Sequence, residues 1–237
     1  SYNTPRAWYM QRCLNPHTCV WEGEGADYTP ESDNLPWSMK PERKVTIEDV
    51  KYVLSSYYQG TPFNPYARHG ETDKRGMYRP IGINRNNFMA ITQLRPYVPA
   101  ELMGVEWISV GSNAFNEAIP MYANVTATPE YLANAGKNAT TENFYWANRI
   151  IGALADAHYA TCIAHIERYQ KNLAAKGHAM LAAFDAGYQA GGDAHAYLEA
   201  CNKRVADEAR RQTDDLLGKV LHTASCEMKN AFSRADA

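Results

Sequence analysis

The stretch YRPIGINRNNFMAITQLRPYVPAELMGVEWISVGSNAFNEAIPMY, residues 78–122, decides the fold. It holds three short runs rich in β-branched and aromatic residues: YRPIGIN at 78–84, FMAITQL at 88–94 and VEWISVG at 105–111. The connections between them have hairpin or short-loop length, so the runs predict strands of one antiparallel meander. Three strands alone leave a face and an edge uncovered. Such a sheet needs strands or helices from elsewhere.

Upstream, Thr46 with Asp49 three residues later has the form of a capping box. It precedes VKYVLSSYY, whose Val50, Val53, Leu54 and Tyr57 share a helical face, and a short helix is predicted near 47–58. Elsewhere the part up to about residue 138 is rich in proline, tryptophan and tyrosine. Turn clusters such as EGEGADYTPESDNLP at 22–36 and ARHGETDKRG at 67–76 give it the texture of strands and long loops. Downstream, the chain has no proline from Thr141 to the end. Phe144, Ala147, Ile151, Leu154, His158, Cys162, Ile166, Tyr169 and Leu173 form one apolar stripe, and Tyr197, Cys201, Val205, Leu216, Val220 and Leu221 a second. The glycines of YQAGGDAHAY at 188–197 break the pattern, with Asp193 placed to cap the last helix. The expectation is an α+β chain in which residues 1–140 form the strand- and loop-rich part and residues 141–237 a helical hairpin completing the same domain.

With 24 basic and 26 acidic residues among 237, the net charge of -2 provides no field for nucleic acid or an anionic membrane. No apolar run approaches the roughly 20 residues of a membrane span, and SYNTPRAWYM lacks the regions of a signal peptide. The five cysteines, Cys13, Cys19, Cys162, Cys201 and Cys226, are odd in number and scattered. That pattern predicts reduced thiols and a cytoplasmic location. The first residue is serine rather than an initiator methionine, as in a processed, tagged or truncated product.

Most catalytic motifs are missing: there is no G-x-S-x-G elbow, Walker loop, H-E-x-x-H, paired C-x-x-C or Rossmann glycine run. His158, Cys162 and His165 have helical spacing that could present metal ligands, but they equally fit the packed stripe, and the packed reading is preferred. The charges of NKRVADEARRQTDD at 202–215 read as a solvated helix face. What remains is polar residues set among aromatic ones: GTPFNPY at 60–66, YRPIGINR at 78–85 and SVGSNAFNEAIPMY at 109–122. Arg79 and Arg85 could grip a carboxylate through paired hydrogen bonds, or merely brace a loop. Asn113 and Asn116 could donate to a developing oxyanion, or form turns.

These segments, with the opening YNTPRAWYMQRCLNP at 2–16, resemble successive blocks of the family of bacterial cysteine dipeptidases among the N-terminal-nucleophile hydrolases. The blocks are SSYYQGTPFNPY at 55–66, YRPIGINR, the strand end TQLR at 92–95, GVEWISVGSNAF at 104–115, IPMYANV at 119–125 and FYWANRIIGALADAHY at 144–159. They belong to the carboxyl-terminal half of that family. The resemblance implies an αββα sandwich of two antiparallel sheets between helical layers. It also implies hydrolysis of short peptides, chiefly dipeptides, through an acyl-enzyme on a cysteine exposed by removal of the initiator methionine.

No cysteine stands at the start of this chain, so the nucleophile is expected upstream and the chain alone is expected to be inactive. No metal or organic cofactor is implied. The expected partners are a dipeptide substrate and the amino-terminal half of the same protein, with a homo-oligomer left open. Related amidases acting on penicillin V and bile salts use an arginine in a strand after a G-x-P loop to support the nucleophile. By analogy Arg79, or else Arg85, takes that part, and Arg85 and Asn113 are expected in the substrate pocket. Two other readings stand beside this one: a processed hydrolase β-chain with Ser1 as nucleophile, and a non-enzymatic binding module.

Overall fold

The structure is a computed structural model that describes residues 2–70 and 73–231. Ser1, and with it the serine-nucleophile reading, lies outside the described residues. The chain divides into two units, Ser1–Ile83 and Asn84–Ala237. The compositional change near residue 140 falls inside the second.

The first unit is built on two helices, α1 (Thr4–Leu14) and α2 (Ile47–Leu54). Helix α1 was not foreseen amid the aromatic- and proline-rich texture. Its Pro5 sits in the first turn, where a missing N–H costs nothing. Helix α2 starts at the expected box, with the Asp49 N–H donating to Thr46 Oγ1 at 3.2 Å and the Thr46 N–H to Asp49 Oδ2 at 2.9 Å. It stops at Leu54, short of the expected 58. The core of the unit is aromatic: Trp8, Tyr9, Trp21 and Tyr58 are buried, with Phe63, Tyr78 and Ile81 packed against them.

The second unit carries the sheet β1 (Phe88–Leu94), β2 (Gly104–Val110) and β3 (Ile119–Tyr122), antiparallel in the order β1-β2-β3. The strands expected at 88–94 and 105–111 are present, the latter displaced by one residue. The one expected at 78–84 is not a strand, because Gly82 N–H and Arg79 C=O are engaged by side chains and backbone of a remote loop. The third strand is IPMY instead, and its Pro120 is admissible because β3 lies at the end of the sheet order.

One sheet face, with Met89, Val105, Trp107 and Ser109, is buried against the helices. Phe88, Ala90, Thr92 and Leu94 of β1 point the other way and are exposed. Helices α3 (Phe144–Ala157), α4 (Tyr159–Gly187) and α5 (Ala194–Cys226) follow. The expected hairpin is α4 with α5, and Asp193 caps α5 by accepting from Ala196 N–H at 3.1 Å. The first stripe spans two helices rather than one, because the backbone at His158 leaves helical geometry (φ -120°, ψ 35°) and ends α3. Gly177 on α4 permits close approach to the sheet: a Cβ there would lie 2.9 Å from Pro120 Cδ. No described helix is long and apolar enough to cross a membrane.

Candidate functional site

In the first unit, the block SSYYQGTPFNPY and residues 78–83 are tied together. Gly82 N–H donates to Ser56 C=O at 2.7 Å, and a Cβ on Gly82 would sit 2.1 Å from Ser55 O, so only glycine fits. Tyr58 holds a left-handed backbone, φ 64°, a conformation that costs a bulky residue about 1–3 kcal/mol and persists only where surroundings impose it. Here they do: the Tyr58 hydroxyl donates to Arg79 C=O at 2.9 Å, and its ring meets Tyr9 edge to face at 5.3 Å. Burial pushes the Tyr58 hydroxyl up to about 12. Arg6 Nε–H donates to the same carbonyl at 3.2 Å. The Arg79 backbone is therefore fixed twice over, while its guanidinium is exposed and lies over the Tyr2 ring at 4.2 Å. No carboxylate pairs with it among the described residues.

In the second unit, the loop after β2, Gly111–Glu117, is buried along nearly its whole length. Gly111 turns with φ 84°, and a Cβ there would come within 3.0 Å of Asn148 Cβ on α3. A Cβ on Gly152, one turn further along α3, would lie 2.8 Å from Ser112 Cβ. Ser109 Oγ–H is within reach of two amide oxygens, Asn116 Oδ1 at 2.5 Å and Asn113 Oδ1 at 3.4 Å. Asn116 Nδ2 donates to Val110 C=O, and Gln170 Nε2 of α4 donates to Asn116 C=O at 3.0 Å and Ala114 C=O at 3.3 Å. Both asparagines are thus held in a buried polar network, where satisfied groups rigidify the loop. Asn148 Oδ1 is buried nearby without a hydrogen-bond partner among the described residues, an acceptor whose desolvation they do not compensate.

Of the residues singled out from sequence, Arg79 belongs to the first unit and Arg85 and Asn113 to the second. Arg85 is exposed in the turn Asn84–Arg85, whereas Asn113 is buried in the loop after β2. Ser109 and Gln170 complete the network around Asn113 and Asn116, Asn148 lies beside it, and these three were not singled out. They are ordinary polar residues whose shared site arises only when α3 and α4 close on the loop.

The described cysteines are free thiols. Burial pushes the Cys13, Cys162 and Cys201 thiols up, which disfavours the thiolate that a nucleophile needs. His158 pairs with Glu227, Nδ1 to Oε2 at 2.5 Å, and not with Cys162 or His165. Among the described residues no three His, Cys, Asp or Glu side chains converge as metal ligands would.

The profile of Peptidase family C69 matches residues 1–172. Over 99% of its length the chain is 44% identical to a dipeptidase of Bifidobacterium longum, covering 52% of that protein. It is also 44% identical to a probable dipeptidase A of Streptococcus pyogenes, covering 48% of it, and 34% identical to a probable dipeptidase B of Lactococcus lactis, again covering 48%. The chain thus spans about half the length of the relatives it matches. A match over most of the chain, with identities of this size, means that the chain belongs to peptidase family C69.

Proposed function

We propose that this chain is part of a dipeptidase that hydrolyses short peptides through a cysteine acyl-enzyme, with the nucleophile in the part of the relatives that this chain does not span. The observation that carries the reading is 44% identity, over 99% of the chain, to a protein named a dipeptidase. The raised thiols of Cys13, Cys162 and Cys201 are in keeping with a nucleophile located elsewhere. The free cysteines suit a reducing cytoplasm.

In this reading the fold is the αββα sandwich. The exposed apolar row of β1, with Phe88 60% and Leu94 71% exposed, supports a second sheet layer supplied by the other half of the protein. A thiolate attacks the peptide carbonyl, the amine leaves to give a thioester, and water then releases the acid. Arg79, its backbone fixed by Tyr58 and Arg6 and its charge unpaired by any carboxylate among the described residues, supports the thiolate. Arg85 contributes a second exposed guanidinium able to bind a substrate carboxylate. Asn113, rigid in its buried loop, shapes the pocket wall.

The test uses the intact protein, with each of Cys13, Cys19, Cys162, Cys201 and Cys226 changed to alanine in turn. Dipeptide hydrolysis is expected to survive all five substitutions. A thioester or thiol-directed label recovered by mass spectrometry is expected on a cysteine outside these positions, and its recovery on one of the five would overturn the reading.

A further inference from the structure

Residues of the first unit enclose a cleft of about 590 Å³ that the blocks described above do not account for. Its volume falls within the roughly 300–1,000 Å³ of small-molecule sites. Its wall is aromatic: the Phe63 and Tyr78 rings are partly exposed, and the buried Trp8 and Trp21 indoles back them. Phe63 stands edge to face with Trp8 at 6.0 Å and tilted against Tyr78 at 4.8 Å, so the rings form a continuous wall. The polar tips of both indoles are engaged elsewhere: Trp8 Nε1 donates to Tyr28 C=O at 3.1 Å and Trp21 Nε1 to Asn15 C=O at 2.8 Å.

Three charged side chains also line the cleft: the carboxylates of Glu22 and Glu31, and Lys74, which is itself engaged within the protein. Glu22 is paired with Arg12 at 2.7 Å. Glu31 is exposed, and its carboxylate has one side-chain partner among the described residues, the Tyr78 hydroxyl at 2.8 Å. A carboxylate has about four lone-pair sites, so Glu31 can accept further bonds. A ligand that suits this lining has a large apolar group for the rings and a cation for Glu31, and ring faces add to the attraction for that cation.

We propose that this cleft is a subsite for the amino-terminal residue of a short peptide, with a large apolar or aromatic side chain on the Phe63 and Tyr78 rings, backed by the buried Trp8 and Trp21 indoles, and the free α-ammonium at Glu31. The choice of a peptide rests on the peptidase reading; the preference for a large apolar side chain bearing an ammonium rests on the cleft itself.

Phenylalaninol is a suitable probe, because it has the side chain and ammonium without a scissile bond. In the intact protein it is expected to shift the indole N–H resonances of Trp8 and Trp21. Alaninol and N-acetylphenylalaninol are each expected to bind about tenfold or more weakly, the loss due to one charge-assisted hydrogen bond or one buried ring. Glu31→Gln, on the exposed rim, should weaken phenylalaninol by a similar factor and leave the acetylated probe unchanged. With dipeptides, Glu31→Gln should raise KM for an amino-terminal phenylalanine while kcat stays unchanged.

Equal binding of the acetylated probe, or unshifted Trp8 and Trp21 resonances, would overturn the subsite. If phenylalaninol binds as stated and no dipeptide is hydrolysed, the peptidase reading falls and the subsite stands. If dipeptides are hydrolysed and the probes do not discriminate, the reverse holds.

Discussion

Arg95, 3% exposed at the end of β1, is clamped by Asp185 near the end of α4: Nη1 to Oδ2 at 2.5 Å and Nη2 to Oδ1 at 3.1 Å. Nη2 also donates to Leu102 C=O at 2.5 Å, and the Tyr122 hydroxyl donates to Asp185 Oδ1 at 2.7 Å. Burial, then the neighbouring carboxylate, holds the Tyr122 hydroxyl well above the usual tyrosine range. The group joins both outer strands of the sheet to α4. Removing one member of a buried pair leaves a charge without compensation, so Asp185→Ala is expected to cost about 3–5 kcal/mol in denaturant unfolding. The double change Arg95→Met with Asp185→Leu should recover much of that loss, and a double as unstable as the single would refute the account.

Asn202 on α5 behaves as a surrogate strand for β3. Its Oδ1 accepts from Tyr122 N–H at 2.8 Å and its Nδ2 donates to Tyr122 C=O at 3.0 Å. Asn202→Leu strands both backbone groups in a buried setting and is expected to cost about 1–3 kcal/mol. Hydrogen exchange at the Tyr122 amide should accelerate more than at the β2 amides.

Gly82→Ala places a methyl group into Ser55 C=O and breaks the Gly82–Ser56 bond. Overpacking of this kind costs about 1–3 kcal/mol or more. Thermal unfolding of the first unit should shift down accordingly, whereas Gly136→Ala, with open space around it, should leave the midpoint nearly unchanged.

Two carboxylates pin loops in the same manner. Glu42 accepts from His17 N–H, Thr18 N–H and the Thr18 hydroxyl, and Glu199 from Thr126 N–H, Ala127 N–H and the Thr126 hydroxyl. Hydrogen bonds, the threonine hydroxyl foremost, hold both carboxyls below the usual glutamate value of about 4.3. A lowered folded pKa means that this stabilisation is complete above the ordinary value and disappears as pH falls through the lowered one. The Thr18 and Thr126 amide resonances should therefore titrate below the pH range of an ordinary glutamate, and Glu42→Gln and Glu199→Gln should each abolish the corresponding titration.

Arg79→Ala is expected to separate activity from stability. Its side chain is exposed, so unfolding should change by no more than about 0.5 kcal/mol. If Arg79 supports the thiolate, kcat/KM of the intact protein should fall about a hundredfold, the scale for loss of one electrostatic stabiliser. Unchanged dipeptide hydrolysis in this variant would remove Arg79 from the site.

By itself the sequence determined what depends on near neighbours. Thr46 and Asp49 mark the start of α2, alternation and β-branching mark 88–94 and 105–111, and Asp193 after two glycines marks the start of α5. The α+β class and the proline-free helical tail follow from the same short-range periodicities. The site was legible to the level of its loops: Arg79, Arg85 and Asn113 were read as polar residues at strand ends or in loops, but not what surrounds them.

Tertiary structure alone decided the rest, because the deciding partners are remote in sequence. YRPIGIN has the composition of a strand, yet Ser56 and Tyr58 take the hydrogen bonds a ladder would need, and it becomes a strap across the aromatic core. IPMY, too short and proline-bearing to read as a strand, becomes one because β2 and Asn202, 80 residues from Tyr122, satisfy its backbone. Arg95 finds its counter-charge 90 residues away. A backbone group or a buried charge takes whichever partner the closed fold brings within about 3 Å, and local sequence does not encode that distance.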